Sequence, residues 1–256
     1  MLDTIEAVAP PKAGHMRIAD GLRDQILSGD YPPGAQLPLQ ATLARTYGVS
    51  LLTSRRAIDQ LKDEGLVTPV QGHGSFVKLI NRIRLCMSRY VRATPTSGPW
   101  QTACDSQGKT GVVDVMGVSH RAADRRVAEA LDLTVGEGVV LRQTQMRVVG
   151  DERVMQLQDT WLPRWLVDGT PLATSRRTKG GIYNGVAAIG HRPVVADEEV
   201  IARMPTREEA RAFRLRAGCP VLDARRIARD SEGTPVVYTH VVGSADHISF
   251  TYSHVL

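Results

Sequence analysis

Cysteine is scarce in this chain: three in 256 residues, Cys86, Cys104 and Cys219, with no CxxC pair among them. Few, scattered and odd in number, they exclude a disulfide framework and a cysteine-based zinc site, and they fit a reduced, cytoplasmic setting. Apolar runs of about 18 residues are missing, so no membrane span is expected. The opening segment, MLDTIEAVAPPKAGHM, carries acids and two prolines and no long apolar run. That departs from a secretory signal, and residues 1–12 read as a flexible arm. Catalytic signatures are missing as well. There is no GxSxG, no P-loop and no paired-carboxylate constellation, and a Ser-His-Asp set can be picked from any chain this long. His240, His247 and His254 recur at intervals of seven, but across expected strands and a turn that spacing does not converge ligands. Neither a metal nor a cofactor is expected.

What is present is ordinary for a globular protein: 42% apolar and 23% charged residues. The length suits one or two domains. A formal net charge of +5 favours an anionic partner, though weakly.

Residues 13–78 have helical periodicity. Ile18, Leu22, Ile26 and Leu27 share a helical face, and Gly29 stops that helix. The prolines and glycine of YPPGAQLP force a turn. A short helix over about 39–46 carries Leu39, Leu43 and Ala44. In TYGVS, Gly48 permits a tight turn and Ser50 is a natural N-cap. The next helix, about 51–64, buries Ile58 and Leu61, with Leu52 or Ala57 as a third core residue, and Gly65 ends it. Short strands LVTPV and SFVKL flank QGHG as a hairpin. Helix, helix, tight turn, helix, hairpin is a winged helix-turn-helix, mainly α with a β-hairpin wing.

Residues 79–106 read as an irregular linker, rich in Pro, Ser, Thr and Gly. Residues 107–256 alternate β-branched runs with hairpin turns such as VGDERV and DSEGTPV. Helical pieces interrupt them at RAADRRVAEALDL, GGIYNGVAAIG and TREEARAFRLR. Thr206 precedes Glu209 by three residues, a capping-box pattern. This block is expected to be α+β around an antiparallel sheet.

The segments ADGLRDQILSGDYPPGAQLP, LARTYGVS, RRAIDQLKDEGL and QGHGSFV, within residues 15–78, resemble the DNA-binding domain of the GntR family of bacterial transcription regulators. VAEALDLTVGEGVVLRQTQMRV, DTWLP, GGIY, ADEEVIARMPTREEARAFRLRAGCPVL and the closing SFTY, within 107–253, resemble the UTRA effector domain of its HutC-like branch, whose fold is similar to that of chorismate lyase. The resemblance implies a homodimeric regulator, a repressor rather than an activator, with a pseudo-palindromic double-stranded DNA operator and a small-molecule effector.

Base edges in a major groove are read by side chains near the N-terminus of the inserted helix. Ser50, Leu51, Thr53, Ser54, Arg55 and Arg56 occupy that end. Arg55 is assigned to base or phosphate contact, with Arg56 as the second arginine; outside a helix-turn-helix such a pair would be ordinary solvated charge. The resemblance implies that the wing tip, Gln71, Gly72, His73 and Gly74, would reach the minor groove, and the glycines would let backbone approach closely. Relatives usually carry LPSERELA where this chain has LPLQATLA, and an arginine directly after GVS where this chain has Leu51. Ala41 and Leu51 cannot hydrogen-bond guanine, so the operator should differ from the family's usual one.

For the effector, the resemblance implies a pocket for a phosphorylated or carboxylated metabolite near Arg142, Gln145, Arg147, Gln158 and Tyr183. Gln145 and Gln158 stand where relatives often have arginine and glutamate, and Gly181 replaces a serine. The lost charge and hydroxyl favour a neutral or singly charged effector over a sugar phosphate. Two rival readings differ in what they predict. A C-terminal block that only dimerises would bind no metabolite, and a small-carboxylate enzyme of chorismate lyase-like fold would form product.

Overall fold

The computed structural model describes residues 13–79, 82–90, 97–151, 153–215 and 218–253; the N-terminal arm and His254 lie outside them. The described chain divides into two compact units, one running to Leu79 and the other from Arg82 on, Gly218 excepted.

The first unit comprises α1 (Gly14–Ser28), α2 (Gln40–Tyr47), α3 (Leu51–Asp63), β1 (Val67–Val70) and β2 (Gly74–Val77). Its core is Ile18, Ala19 and Leu22 of α1, Leu43 of α2, Ala57, Ile58 and Leu61 of α3, and Val67 and Val77 of the hairpin. Full burial of each large apolar side chain contributes about 1.5–3 kcal/mol. Ala57, not Leu52, is the third core residue of α3, since Leu52 is 60% exposed. Leu27 does not share the buried face of α1 either: at the last turn it is 70% exposed. The local stops follow backbone chemistry. Gly48 ends α2 in the left-handed region at φ 62°, and the Ser50 hydroxyl accepts from the Thr53 amide to start α3. Arg23 of α1 clamps the end of α3: Nε and Nη2 donate to the two Glu64 carboxylate oxygens at 2.8 and 2.6 Å.

The second unit begins with β3 (Ile83–Cys86), α4 (Met87–Tyr90) and α5 (Pro99–Asp105). There follow β4 (Gly111–Ala122), α6 (Arg125–Leu131), β5 (Gly138–Val148), β6 (Gln156–Pro163), α7 (Arg164–Val167), a 3-10 turn (Pro171–Ala173) and α8 (Ile182–Ala188). The chain closes with β7 (Val195–Arg203), α9 (Arg207–Ala212), β8 (Val221–Arg229), β9 (Pro235–Ser244) and β10 (Ile248–Thr251). Six strands form one sheet in the order β4-β5-β6-β9-β8-β7, every neighbouring pair antiparallel. β3 and β10 pair separately and in parallel, Ile83 opposite Ile248. The capping box at the start of α9 has both bonds, Thr206 to the Glu209 amide and Glu209 to the Thr206 amide.

The stretch read as an irregular linker therefore holds β3, α4 and α5 within the described residues. Trp100 and Cys104 of α5 are buried with Ile83, Leu85, Met146 and Ile248 in a core of their own, and the Trp100 indole donates to the Arg147 carbonyl at 2.9 Å. A seven-residue helix and a strand paired with residues far along the chain leave no local periodicity to detect.

Candidate DNA-binding and effector sites

In the first unit, the core takes one face of α3 and leaves the other exposed. Leu51, Leu52, Arg55 and Arg56 are all exposed in its first two turns. Thr53 is half-buried and its hydroxyl lies 2.8 Å from that of Ser50; the Ser50 hydroxyl caps the helix, and both hydroxyls border its open end. Ser54 does not belong with them. It is fully buried, and its hydroxyl donates to the carbonyls of Gln40 and Leu51, each at 2.9 Å. It therefore ties α3 to α2 from the core side of the helix rather than facing a groove. Among the described residues, Arg55 has only a long contact to Asp59, 3.8 Å on an exposed surface, which leaves the guanidinium available to a partner.

The wing tip exposes Gln71, Gly72 and His73, with Gly74 half-buried behind them. Gly72 and Gly74 both sit at positive φ, 76° and 95°, where glycine is the unstrained choice. Gln36 braces the tip: its side-chain amide donates to the His73 carbonyl at 2.7 Å. His73 Nδ1 lies 3.0 Å from the Gln71 carbonyl, which has no proton to give, so Nδ1 is the donor.

In the second unit, the inner face of the sheet floors a cavity of about 390 Å³. β5 supplies Arg142, Thr144 and Met146, β6 supplies Gln158 and Thr160, and β9 supplies Thr239. Pro99, Trp100 and Gln101 of α5 close one end, and Arg177 to Tyr183 cover the top. Three cations line it, Arg142, Arg177 and Lys179, and no carboxylate among the described residues does. Arg142 is 2% exposed. Its Nη1 donates to the carbonyls of Leu172 (2.7 Å) and Thr174, and its Nη2 to that of Arg176 at 3.0 Å. Burial pulls the guanidinium below the usual arginine range, and its Nε is buried without a hydrogen bond among the described residues. A buried cation held by carbonyls and with no carboxylate partner among the described residues favours an incoming anion. Thr178 Oγ1, also buried without such a bond, adds a polar atom to the wall.

Of the effector residues expected from sequence, Arg142, Gln158 and Tyr183 meet at this cavity. Gln145 and Arg147 do not. Successive strand residues point to opposite faces, so with Arg142, Thr144 and Met146 inward, Gln145 and Arg147 point outward. There both bind Asp114, at 3.2 and 2.8 Å, and Arg147 holds the Asp114 carboxyl below its usual range. Sequence reasoning missed Thr144, Thr160, Thr239, Arg177, Thr178 and Lys179. Stepping by two from Arg142 would have found the first; the loop residues carry no periodic signal. Gly181 has its own reason to be glycine: at φ 86° and ψ 177°, an added Cβ would lie 3.1 Å from Pro99 Cδ.

No helix among the described residues is long and apolar enough to cross a membrane. None of them forms a group of three or more His, Cys, Asp or Glu suited to a metal ion.

Comparison with known proteins agrees with this two-part arrangement. Residues 15–77 match the model of bacterial regulatory proteins of the gntR family, and residues 106–249 match that of the UTRA domain. An uncharacterised HTH-type transcriptional regulator of Streptomyces coelicolor is 30% identical over 94% of this chain and 93% of its own. The mannosyl-D-glycerate transport/metabolism system repressor MngR of Escherichia coli K12 is 23% identical over 93% of this chain and 94% of its own. A solved GntR-family transcriptional regulator superposes with a TM-score of 0.72 at 29% identity, covering 96% of this chain and 98% of its own. PhnF of Mycobacterium smegmatis shares the fold, with a TM-score of 0.59 at 20% identity over 93% and 99% of the two chains. The chain belongs to the GntR family of bacterial transcriptional regulators, with a helix-turn-helix DNA-binding domain followed by a UTRA effector domain.

Proposed function

We propose that this regulator is a homodimeric repressor of a pseudo-palindromic operator, released by a small anionic effector. The observation that carries the effector class is the cavity wall: three cations, one of them buried and bonded to carbonyls, and no carboxylate among the described residues. A single carboxylate or phosphate group would complete Arg142, Arg177 and Lys179, with Thr178, Gln158 and Tyr183 selecting the rest of the molecule. MngR, named as a repressor of a transport and metabolism system, supports repression.

On DNA, Ser50, Leu51, Thr53, Arg55 and Arg56 would enter the major groove, while Gln71, Gly72, His73 and Gly74 would meet the backbone and minor groove. Two-fold symmetry of the protein would be mirrored in the half-sites. Effector and operator are linked through the conformations each prefers, so operator DNA must weaken effector binding by the factor with which effector weakens operator binding.

The test pairs two measurements on the full chain. Thermal shift against a panel of carboxylates, phosphates and neutral sugars identifies ligands, since binding the native state alone raises the melting temperature. Gel shift on a selected operator then asks whether the same compounds release DNA. A panel in which only neutral sugars stabilise the protein would overturn the anionic class. Selected DNA without two-fold symmetry would overturn the dimeric operator.

A further inference from the structure

One row of residues crosses the inner face of the sheet at a single level. Arg142, Thr160, Thr239, Arg226 and Glu198 are successive cross-strand partners from β5 to β7. The first three line the cavity. Beyond it, Arg226 and Glu198 form a buried ion pair with side chains 6% and 9% exposed. Arg226 Nε and Nη2 both donate to Glu198 Oε1, at 3.0 and 2.5 Å. Tyr183, a buried cavity residue at the start of α8, accepts a side-chain hydrogen bond from Arg226, and Arg226 is the direct cross-strand neighbour of the cavity residue Thr239. The other Glu198 oxygen accepts from the Tyr252 hydroxyl at 2.7 Å.

Tyr252 directly follows β10, and its neighbour is locked to α4. The Ser253 amide donates to Ser88 Oγ at 2.7 Å, and Ser88 Oγ donates to the Ser253 carbonyl at 3.0 Å. β3, which runs into α4 and pairs with β10, is the first element of the effector unit, reached along the chain directly after wing strand β2.

We propose that Glu198 and Tyr252 are positioning residues that relay occupancy of the cavity to the β3–α4 segment. One carboxylate completes two partners, a buried cation on the cavity side and a tail tyrosine on the other. A buried ion pair tolerates the loss of a partner poorly, so a shift of Arg226 carries Glu198 with it, and a shift of Glu198 strips Tyr252 of its acceptor. A ligand that draws Tyr183 away from Arg226 thereby loosens the tail, and with it the Ser253–Ser88 lock. The regulatory meaning rests on the cavity being the effector site, but the connection itself exists without ligand or DNA.

Hydrogen exchange by mass spectrometry on the full chain tests it, comparing Tyr183→Phe, Tyr252→Phe and the double variant. Tyr252→Phe should speed exchange in peptides spanning residues 83–88 and 248–253. Tyr183→Phe should speed the same peptides by roughly threefold or more, on a scale set by local opening, although it lies far from both along the chain. Arg226 Nη2 also reaches Met87 Sδ of α4 at 3.7 Å, so in the Tyr252→Phe background the effect of Tyr183→Phe should vanish in the peptide spanning 248–253, the one reached through Tyr252. Unchanged exchange in Tyr183→Phe, or two effects that merely add, would overturn the relay. If exchange in β9 shows that Tyr183→Phe has lost the fold, Glu198→Gln replaces it: an acceptor for Tyr252 remains while the ion pair goes, and unchanged exchange over 83–88 then overturns the proposal. Because neither DNA nor effector enters, a negative result would leave the repressor assignment standing, and failure of that assignment would show in gel shift alone.

Discussion

The Ser54 hydroxyl lies 2.9 Å from the Gln40 carbonyl, across the turn that joins the two helices of the helix-turn-helix. That bond fixes α3 relative to α2 from inside the core. Replacing Ser54 by Ala should destabilise the first unit by about 1–2 kcal/mol, the cost of removing a buried hydrogen bond with little change in volume. Operator affinity should fall without a change in base preference. Urea unfolding and a binding-site selection on the same variant separate the two effects; an altered selected sequence would make Ser54 a reader after all.

Arg55 and Leu51 should behave in the opposite way. Both are exposed at the open end of α3, so stability should barely move. Arg55→Ala should cost about 1–3 kcal/mol of operator binding if it grips a base, or reduce the salt slope by about one if it holds a phosphate. Leu51→Arg should introduce a guanine preference at one position of each half-site, read out by selection from random duplexes.

These contrasts show which parts of the molecule were legible before the structure. Caps and stops were legible because they depend on neighbours in sequence: Gly48, Ser50 and the Thr206–Glu209 box all do what their local chemistry dictates. Facing was less legible. Ser54 sits beside Arg55 in a helix whose polar residues serve both core and surface, and Arg147 is displaced from the cavity by the parity of a strand anchored at Arg142. The loop over the cavity was not legible at all, since Arg177 and Lys179 are placed by the backbone that Arg142 organises from a distant part of the chain.

Arg142 joins those roles, and its replacement should expose both. Arg142→Met keeps most of the length and removes the charge. Anion binding in the cavity should become undetectable, while the loop around Leu172 to Arg176, no longer tied down through its carbonyls, becomes more open to proteolysis. Thermal shift with the ligands found for the native protein, alongside limited trypsin digestion, reads the two consequences. Retained anion-dependent stabilisation would move the anion site to Arg177 and Lys179.

Gly181 tests whether the serine that the family resemblance implies at this place would fit this chain. With φ 86° and ψ 177° it occupies a region that only glycine adopts freely. Gly181→Ser should therefore destabilise the second unit by about 1–3 kcal/mol and should not improve anion binding. A variant as stable as the native protein would mean the loop has a second resting geometry.

The Arg23–Glu64 clamp makes the first unit sensitive to acid in a predictable direction. Hydrogen bonds from Arg23 hold the Glu64 carboxyl below its usual range. A carboxyl whose pKa is lower in the folded state binds fewer protons there than in the unfolded chain. Its contribution is thus complete above the ordinary glutamate range, and it is lost as pH falls through the folded-state value. Both side chains are partly exposed, so solvent limits the contribution at neutral pH to about 1 kcal/mol. Urea midpoints of native and Glu64→Gln protein, followed by a probe in the first unit, should differ at pH 7, and the difference should shrink as pH falls below the ordinary glutamate value of about 4.3 and through the lowered folded-state value. A difference that persists undiminished at low pH would assign Glu64 a packing role instead of an ionic one.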